Sequence, residues 1–295
     1  MNWILLVEQF LNGMQLGLLL FLLAAGLTLV FGIMDMVNLA HGSLYMIGGY
    51  FAATFTDLTG SILYAIPITV VATFAVGVVL EQICLKTLYD RDHLDQVLVT
   101  FGLILFFNEV VQQIWGPAGL DVPLPDFLNH SAEITEGFVY PVYRLMIIGA
   151  SLGSALLLYY LVVKTRMGML IRAGASNREM IGALGVNIKL LFTLVFGMGA
   201  ALAGLAGLLA APIVTVESGM GDNVLIMAFV VIVIGGIGSI RGAFISALMV
   251  GLIDTLGRSF LPDIMGQFLP HEVAVTAAPS ISSMMIYLIM AVVLS

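Results

Sequence analysis

Long apolar segments dominate this chain and constrain its fold more than any other feature. Nine stretches are rich in apolar residues and poor in charge: about 11–33, 40–57, 62–85, 96–115, 144–163, 190–211, 223–236, 243–260 and 281–295. An apolar run of about 20 residues matches the hydrocarbon thickness of a bilayer. Only 9% of the residues are charged, whereas a soluble domain carries about 25%. The sequence therefore predicts an all-α polytopic membrane protein with about eight to nine membrane helices.

One of these stretches, 223–236, is short for a membrane span and ends in glycines. The sequence GGIGSIRG places Gly235, Gly236 and Gly238 where a helix would be interrupted. Broken backbone at membrane depth is tolerated only within protein or beside a water-filled cavity. We therefore expect a broken or re-entrant element whose glycines face a translocation pathway. The same glycines lack the Lys and Ser/Thr that a phosphate-binding loop requires.

The charges of the loops indicate how the chain is oriented. The segment 164–189 contains half of all the basic residues, namely Lys164, Arg166, Arg172, Arg178 and Lys189. Cytoplasmic loops carry an excess of Lys and Arg, so we place this segment and the loop 86–95 in the cytoplasm. The segment 116–143 has acidic residues but no Lys or Arg, and we interpret it as the large external loop.

Counting spans back from these loops puts the N-terminus outside. We expect one transmembrane domain over residues 1–295. Because no basic residue precedes the first apolar run, we interpret that run as a retained span rather than a signal peptide. Arg258 is an exception near an external end, and Asp254, one helical turn earlier, is positioned to pair with it.

The sequence offers little for metal or covalent chemistry. Cys84 is the only cysteine, which excludes an internal disulfide and a Cys-rich metal site. The four histidines lie far apart in the sequence, so we expect no metal site. No nucleophile motif or pair of catalytic carboxylates stands out. We therefore expect no catalytic residues and no enzyme activity in this chain.

A polar cluster separates the first two apolar runs. Asp35, Asn38 and His41 recur every three residues, and Gly42 follows them. One interpretation is an interfacial turn among lipid headgroups. The other is a break that lines the translocation pathway, because intramembrane polar groups pair with one another or face water.

The stretch SNREMIGALGVNIK, residues 176–189, is a short polar segment between two apolar runs. Ser176 or Asn177 can cap a helix whose first turn contains Glu179. The apolar residues of this helix are expected on one stripe: Met180, Ile181, Leu184 and Ile188. Such a helix fits a groove on a partner protein or the lipid surface. A third interpretation is an ordinary loop held at the membrane by its basic residues.

The motif EMIGALG, with Glu179 and Gly185 six residues apart, resembles the EAA-type loop of ABC importer permeases. Four segments occur in a characteristic order: VNLAHGSLYMIGGY (37–50), LVTFGLILFFNEVVQQIWGP (98–117), RAGASNREMIGALGVN (172–187) and VIGGIGSIRGAFISAL (233–248). Together they resemble the branched-chain amino acid ABC importer permeases, specifically the first of the two paired permease subunits. Met180 and Ile181 depart from the EAA consensus, which has small residues at these two places.

The resemblance implies a set of partners in a bacterial inner membrane. These are a second permease subunit, two cytoplasmic ATPase subunits, a periplasmic or extracellular substrate-binding protein and membrane lipid, but no nucleic acid. ATP and Mg would be bound by the ATPases, so this chain would bind no cofactor itself. The implied ATPase-coupling residues are Arg178, Glu179, Met180, Ile181, Gly182, Leu184 and Gly185.

The function implied by the resemblance is import of branched-chain or related amino acids by alternating access. Other substrates known for such permeases are urea and short amides, or aromatic and other carboxylates. The residues alone also allow an autonomous channel or a secondary transporter. That class predicts charged residues deep within the spans for ion coupling, and these are sparse here.

Overall fold

The computed structural model describes residues 3–89, 91–135, 137–268 and 270–294. The α-helices in the described part are α1 (Trp3–Met34), α2 (His41–Thr59), α3 (Ile62–Ile83), α4 (His93–Trp115), α5 (Val142–Lys164), α6 (Arg166–Ser176), α7 (Arg178–Ala183), α8 (Ile188–Ala210), α9 (Met220–Gly235), α10 (Ile240–Met265) and α11 (His271–Leu294). A 3-10 helix, Leu85–Leu88, follows α3, and the strands β1 (Ser131–Thr135) and β2 (Phe138–Pro141) pair as an antiparallel hairpin.

Within the described residues, seven helices are long and apolar enough to cross a membrane, namely α1, α3, α4, α5, α8, α10 and α11. With α2, which has 19 residues, and α9, which has 16, they account for the nine predicted runs. The prediction of an all-α polytopic membrane protein is therefore confirmed. The chain is a multi-pass membrane protein.

The structure corrects the predicted ends of two helices. α11 begins at His271 rather than near residue 281, because Glu272 and Pro279 lower the hydropathy of its first turns without preventing a helix. α1 begins at Trp3 rather than near residue 11. Apolar content locates membrane spans, but it underestimates helices that continue past the hydrocarbon region.

The helices α1 and α8 form the centre of the bundle. In the most apolar window of α1, 83% of the residues are buried, whereas the corresponding window of α4 is only 17% buried. α1 packs against α5, α8, α9 and α10, and α8 also packs against α2 and α3. The apolar side chains that α4 leaves exposed, such as Leu98 and Phe106, are suited to lipid or to another membrane subunit.

Small residues allow these helices to approach closely. A Cβ atom built on Gly48 of α2 would lie 2.3 Å from the carbonyl oxygen of Gly204 of α8. A Cβ atom on Gly207 would lie 1.9 Å from the Tyr45 carbonyl oxygen. Close backbone approach of this kind replaces the hydrophobic effect as a source of helix association in lipid.

One end of the bundle, which we call the hairpin end, carries the β1–β2 hairpin. The Tyr140 hydroxyl of β2 donates to Asn12 Oδ1 at 2.9 Å, which holds the hairpin against the start of α1. Leu120 and Val216 exchange two backbone hydrogen bonds of 2.9 Å, which join the loops after α4 and α8. Trp115 donates to Thr54 from α4 to α2 at 2.8 Å.

The opposite end, which we call the basic end, carries the predicted coupling loop. The break 35–40, the 3-10 helix Leu85–Leu88, the segment 165–187 and the turn 236–239 all lie there. The structure therefore separates the segment 116–141 from the basic segment 165–187 by the length of the bundle. The predicted orientation requires this separation, because it places these two segments on opposite sides of the membrane.

Candidate functional site

Side-chain caps set the ends of the short helices in the coupling loop. Thr165 Oγ1 accepts from the Gly168 N–H at 3.2 Å and starts α6. Asn177 Oδ1 accepts from the Met180 N–H at 2.9 Å and starts α7, so Asn177 is the capping residue at this helix. A capped turn gives a defined orientation to a helix that is too short to be stable by itself.

The structure divides the predicted apolar stripe of α7. Ile181 is only 6% exposed and packs within the chain, whereas Met180 is 59% and Leu184 is 76% exposed. Adjacent residues of a helix point about 100° apart, so Met180 faces away when Ile181 faces the bundle. The exposed large apolar side chains are Met180 of α7 and Leu184, the residue that follows α7, and we call them the α7 surface. Ile188, the fourth residue of the predicted stripe, instead begins α8.

The remaining predicted coupling residues lie around this surface. A Cβ atom on Gly182 would make an ordinary contact with Ile188, 3.7 Å away. Gly185 ends the segment with φ +87°, a left-handed conformation that glycine adopts most readily. The backbones of Arg178 and Glu179 belong to α7, but their side chains lie outside the described residues.

A cavity of about 520 Å³ opens at the basic end, beside α6. Asp35 and Gly238, two of the predicted pathway residues, both line it, as does Ala175 at the end of α6. Asp35 has φ +49° and closes α1, and Gly238 has φ +81° within the turn between α9 and α10. The cavity therefore lies where α1, α6 and the α9–α10 turn meet, and we call it the basic-end cavity.

The other polar residues of the predicted pathway are enclosed by protein. Asn38 and His41 are completely buried, and Asn38 Oδ1 accepts from the Ala40 N–H at 3.0 Å. The His41 ring lies against α1, since a Cβ atom on Gly26 would be 2.8 Å from His41 Nε2. These side chains lie inside the bundle, whereas Asp35 is exposed at its end.

Glycines make close backbone contacts at two neighbouring interruptions, the one before α2 and the turn between α9 and α10. A Cβ atom on Gly42 would lie 2.6 Å from the Gly221 carbonyl oxygen, so the first turns of α2 and α9 touch through their backbones. A Cβ atom on Gly242 would lie 1.7 Å from the Gly235 carbonyl oxygen at the turn that joins α9 to α10. Gly236 has φ +86° at the end of α9. The short helix α9 is thus fixed at both ends by glycine contacts.

Sequence reasoning missed Gln96, a buried residue that joins three segments of the basic end. Its Oε1 accepts from the Val37 N–H at 3.1 Å. Its Nε2 donates to the carbonyl oxygens of Leu88 at 3.2 Å and Arg91 at 3.1 Å. The break after α1 is therefore tied to the loop between α3 and α4. The sequence carries no signal for the contact with Val37, because it joins the Gln96 side chain to a backbone group 59 residues away along the chain.

A second missed feature is a buried carboxyl group near the basic end. Glu81 is 1% exposed and accepts from Thr193 Oγ1 at 2.7 Å and from the Tyr89 hydroxyl. Burial and the hydrogen bond to Glu81 raise the pKa of Tyr89 well above its ordinary value. Gln82 donates to Thr193 at 2.9 Å. The network joins α3 to the first turns of α8.

In the part of the chain that the structure describes, no three His, Cys, Asp or Glu side chains are grouped closely enough to bind a metal ion. The arrangement of apolar helices around buried breaks defines a polytopic membrane protein. The comparison with known families is more specific. The sequence profile described as "Branched-chain amino acid transport system / permease component" matches residues 9–294. The chain belongs to this family.

Individual relatives agree with this assignment. The chain is 30% identical over 275 residues to the high-affinity branched-chain amino acid transport system permease protein LivH of Escherichia coli, covering 86% of this chain and 87% of the relative. It is 29% identical over 269 residues to the corresponding protein BraD of Pseudomonas aeruginosa, covering 87% and 88%. A probable LivH of Methanocaldococcus jannaschii is 28% identical over 258 residues, covering 84% and 80%. No solved structure was found to match the chain.

Proposed function

We propose that this chain is a permease subunit of an ATP-driven ABC importer in a bacterial inner membrane. It moves branched-chain or related amino acids inward by alternating access, together with a second permease subunit and a periplasmic or extracellular binding protein. Two ATPase subunits bind ATP and Mg, and this chain catalyses no covalent step. The observation that carries the proposal is the exposed α7 surface beside the basic-end cavity, in a chain of the branched-chain amino acid permease family.

The α7 surface is suited to a protein partner. Met180 and Leu184 are exposed apolar side chains on a capped helix in a basic loop. A short helix that presents apolar anchors is a common way to enter a groove on another protein. The groove in this proposal belongs to an ATPase subunit in the cytoplasm, so the basic end faces inward and the N-terminus faces outward. The excess of Lys and Arg in the same loop favours this orientation.

Contacts within the chain offer a route from the ATPase to the pathway. α7 follows α6 with only Asn177 between them, and Ala175 of α6 lines the basic-end cavity with Asp35 and Gly238. A Cβ atom on Gly174 would lie 3.7 Å from Ile33 and 3.4 Å from Leu191, so α6 packs against both α1 and α8. A displacement of α7 therefore changes the inner mouth through α6. Alternating access requires two arrangements of such an element, and in the proposed mechanism α6 and α7 supply it.

Reconstituted transport tests the proposal. The chain is co-expressed with the ATPase, second permease and binding-protein genes of its own organism, purified as a complex and placed in liposomes with ATP inside. We expect uptake of a labelled branched-chain amino acid that requires ATP and the binding protein. Uptake that persists without ATP, or that follows an imposed proton or sodium gradient, would identify a channel or secondary transporter instead.

A further inference from the structure

A pair of opposite charges lies within α10, in the outer part of its membrane-spanning length. Arg258 Nε donates to both carboxylate oxygens of Asp254 at 2.9 Å. The Asp254 side chain is 9% exposed and the Arg258 side chain is 48% exposed. The predicted ion pair is therefore present. One of its members is buried, and the other is open to the surroundings of the bundle.

The depth of the pair follows from helix geometry. At a rise of 1.5 Å per residue, Asp254 lies about 21 Å along α10 from Ile240 at the basic end. The hydrocarbon core of a bilayer is about 30 Å thick. With the basic end facing the cytoplasm, Asp254 lies in the outer half of the membrane, and Arg258, one turn further at about 27 Å, lies close to its outer edge. Ionised groups at such depth face the protein interior or a water-filled cavity, and they mark substrate or ion pathways.

A cavity of about 300 Å³ surrounds the pair between α9, α10 and α11. Asn223 in the first turn of α9 and Ser283 of α11 bring further polar groups to it, and Ile226, Val230 and Ile286 form its apolar wall. Small-ligand sites have volumes of about 300–1,000 Å³ and combine apolar walls with a few convergent polar groups. We call this space the α10 cavity.

The hydrogen bonds of the pair leave capacity for a ligand. Arg258 uses Nε for Asp254 and Nη2 for Ser283 Oγ at 3.2 Å. A guanidinium group has five N–H donors, and a carboxylate can accept about four hydrogen bonds. Contacts with the described residues thus leave Nη1 of Arg258 for an anionic group, and oxygen lone pairs of Asp254 for a cationic group.

We infer that the α10 cavity binds an aliphatic α-amino acid as a zwitterion during translocation. The Arg258 guanidinium binds the α-carboxylate, Asp254 accepts hydrogen bonds from the α-ammonium group, and the apolar wall contacts the aliphatic side chain. Asn223, which is exposed at the mouth of the cavity, supplies an additional donor and acceptor. This inference rests on the proposed function and names the subsite at which this chain contacts its substrate.

Charge balance explains why a zwitterion is favoured over other small solutes. The pair has no net charge, and neither has the zwitterion, so binding adds no net charge to a region of low dielectric constant. A carboxylate without an amine, or an amine without a carboxylate, leaves one ionised group without its partner. An unpaired charge in such surroundings carries a large penalty. An uncharged amide pairs with neither member as strongly as an ion does.

Protection of a single cysteine tests the site directly. Ser283→Cys is made in a Cys84→Ser background, and a membrane-impermeant thiol reagent is added from the hairpin end of the reconstituted complex. We expect leucine to slow the labelling of residue 283, whereas isoamylamine and isocaproate, which each lack one charged group, leave the rate unchanged. Ser131→Cys, on the exposed start of β1, is the matched control, and its labelling is expected to be indifferent to all three compounds.

A charge exchange separates substrate binding from a purely structural ion pair. Asp254→Arg combined with Arg258→Asp retains opposite charges one turn apart but reverses their positions relative to Asn223 and Ser283. We expect the exchanged complex to assemble in the membrane in the same amount as the parent complex. Uptake should fall about tenfold or more, the effect of losing one charged hydrogen bond.

The outcomes distinguish this inference from the proposed function. If the parent complex takes up leucine in an ATP-dependent manner but leucine does not protect residue 283, the cavity assignment is overturned while the importer assignment stands. Full uptake by the exchanged variant would likewise show that Asp254 and Arg258 form a structural ion pair and do not bind the substrate. Protection without ATP-dependent uptake would support the binding site and contradict the importer mechanism.

Discussion

Gly42 and Gly221 lie back to back, so that a Cβ atom on Gly42 would approach the Gly221 carbonyl oxygen to 2.6 Å. Each glycine stands in the first turn of its helix, α2 or α9. The contact brings the starts of two helices together inside the bundle, beside the buried His41. The contact leaves no room for a side chain at either glycine, because the atoms that a Cβ would meet there are backbone atoms, which cannot move aside as a flexible side chain can.

Gly42→Val is therefore expected to destabilise the protein. Forcing extra atoms into a well-packed interior costs about 1–3 kcal/mol, and here the neighbouring backbone would have to move. The thermal unfolding midpoint of the purified protein in detergent should fall. Gly102→Val on α4 is the matched control, because a Cβ atom there meets nothing within 4 Å. Equal midpoints for the two variants would contradict the close contact.

Leu184→Asp is expected to weaken the association with the ATPase. The side chain is 76% exposed on the α7 surface, so the change leaves the fold intact but puts a charge into an apolar interface. The recovery of ATPase with the tagged permease should fall several-fold, with unchanged amounts of permease in the membrane. Leu58→Asp, a change at a leucine 73% exposed at the hairpin end, should have no such effect. Normal copurification and uptake in Leu184→Asp would reject α7 as the docking helix.

Gly185→Val is expected to lower transport and transport-linked ATP hydrolysis. The residue has φ +87° with open space around it, so the cost is conformational rather than steric. A strained backbone conformation of this kind costs about 1–3 kcal/mol, and it is relieved if the end of α7 changes shape. Gly185→Asn should retain most of the activity, since Asn tolerates the left-handed region better. Loss of activity in both variants to the same extent would point away from a backbone requirement.

The sequence predicted those parts of the fold that depend on local composition. Apolar runs located the membrane helices, and the i, i+4 spacing of Asp254 and Arg258 predicted their ion pair, which the structure contains. The cap on α7 was predicted as Ser176 or Asn177, and the structure shows that Asn177, three residues before Met180, binds the Met180 N–H. These features involve neighbours along the chain, whose geometry is fixed by the helix itself.

Features that depend on packing between distant segments were not predictable from one sequence. Ile181 and Met180 are adjacent, and only the contact of α7 with the bundle determines which of them is buried. The hydrogen bond that the Val37 N–H donates goes to the side chain of Gln96, and nothing in the sequence around Gln96 indicates this partner. The α10 cavity was missed because Asn223 and Ser283 reach it from two other helices.

The structure also changes what is expected of the polar residues after α1. Asp35 is exposed and lines the basic-end cavity, whereas Asn38 and His41 are completely buried. Single cysteines at these three positions, in a Cys84→Ser background, distinguish a lined pathway from an enclosed break. In inside-out vesicles, Asp35→Cys should react readily with a membrane-impermeant thiol reagent. Asn38→Cys and His41→Cys should react much more slowly, because thiol reactivity requires access and a solvated thiolate.

A nonhydrolysable ATP analogue should slow the labelling of Asp35→Cys. In the proposed mechanism, closure of the ATPases moves α7 and brings Ala175 of α6 toward Asp35 across the basic-end cavity, so the reagent loses access. Ser61→Cys, at the start of α3 on the hairpin end, controls for leaky or inverted vesicles and should stay unlabelled from this side. Labelling of Asp35→Cys only from the opposite side would overturn the orientation. If Asp35→Cys is labelled from the expected side at the same rate with and without the nucleotide, the basic-end cavity does not belong to the gated pathway.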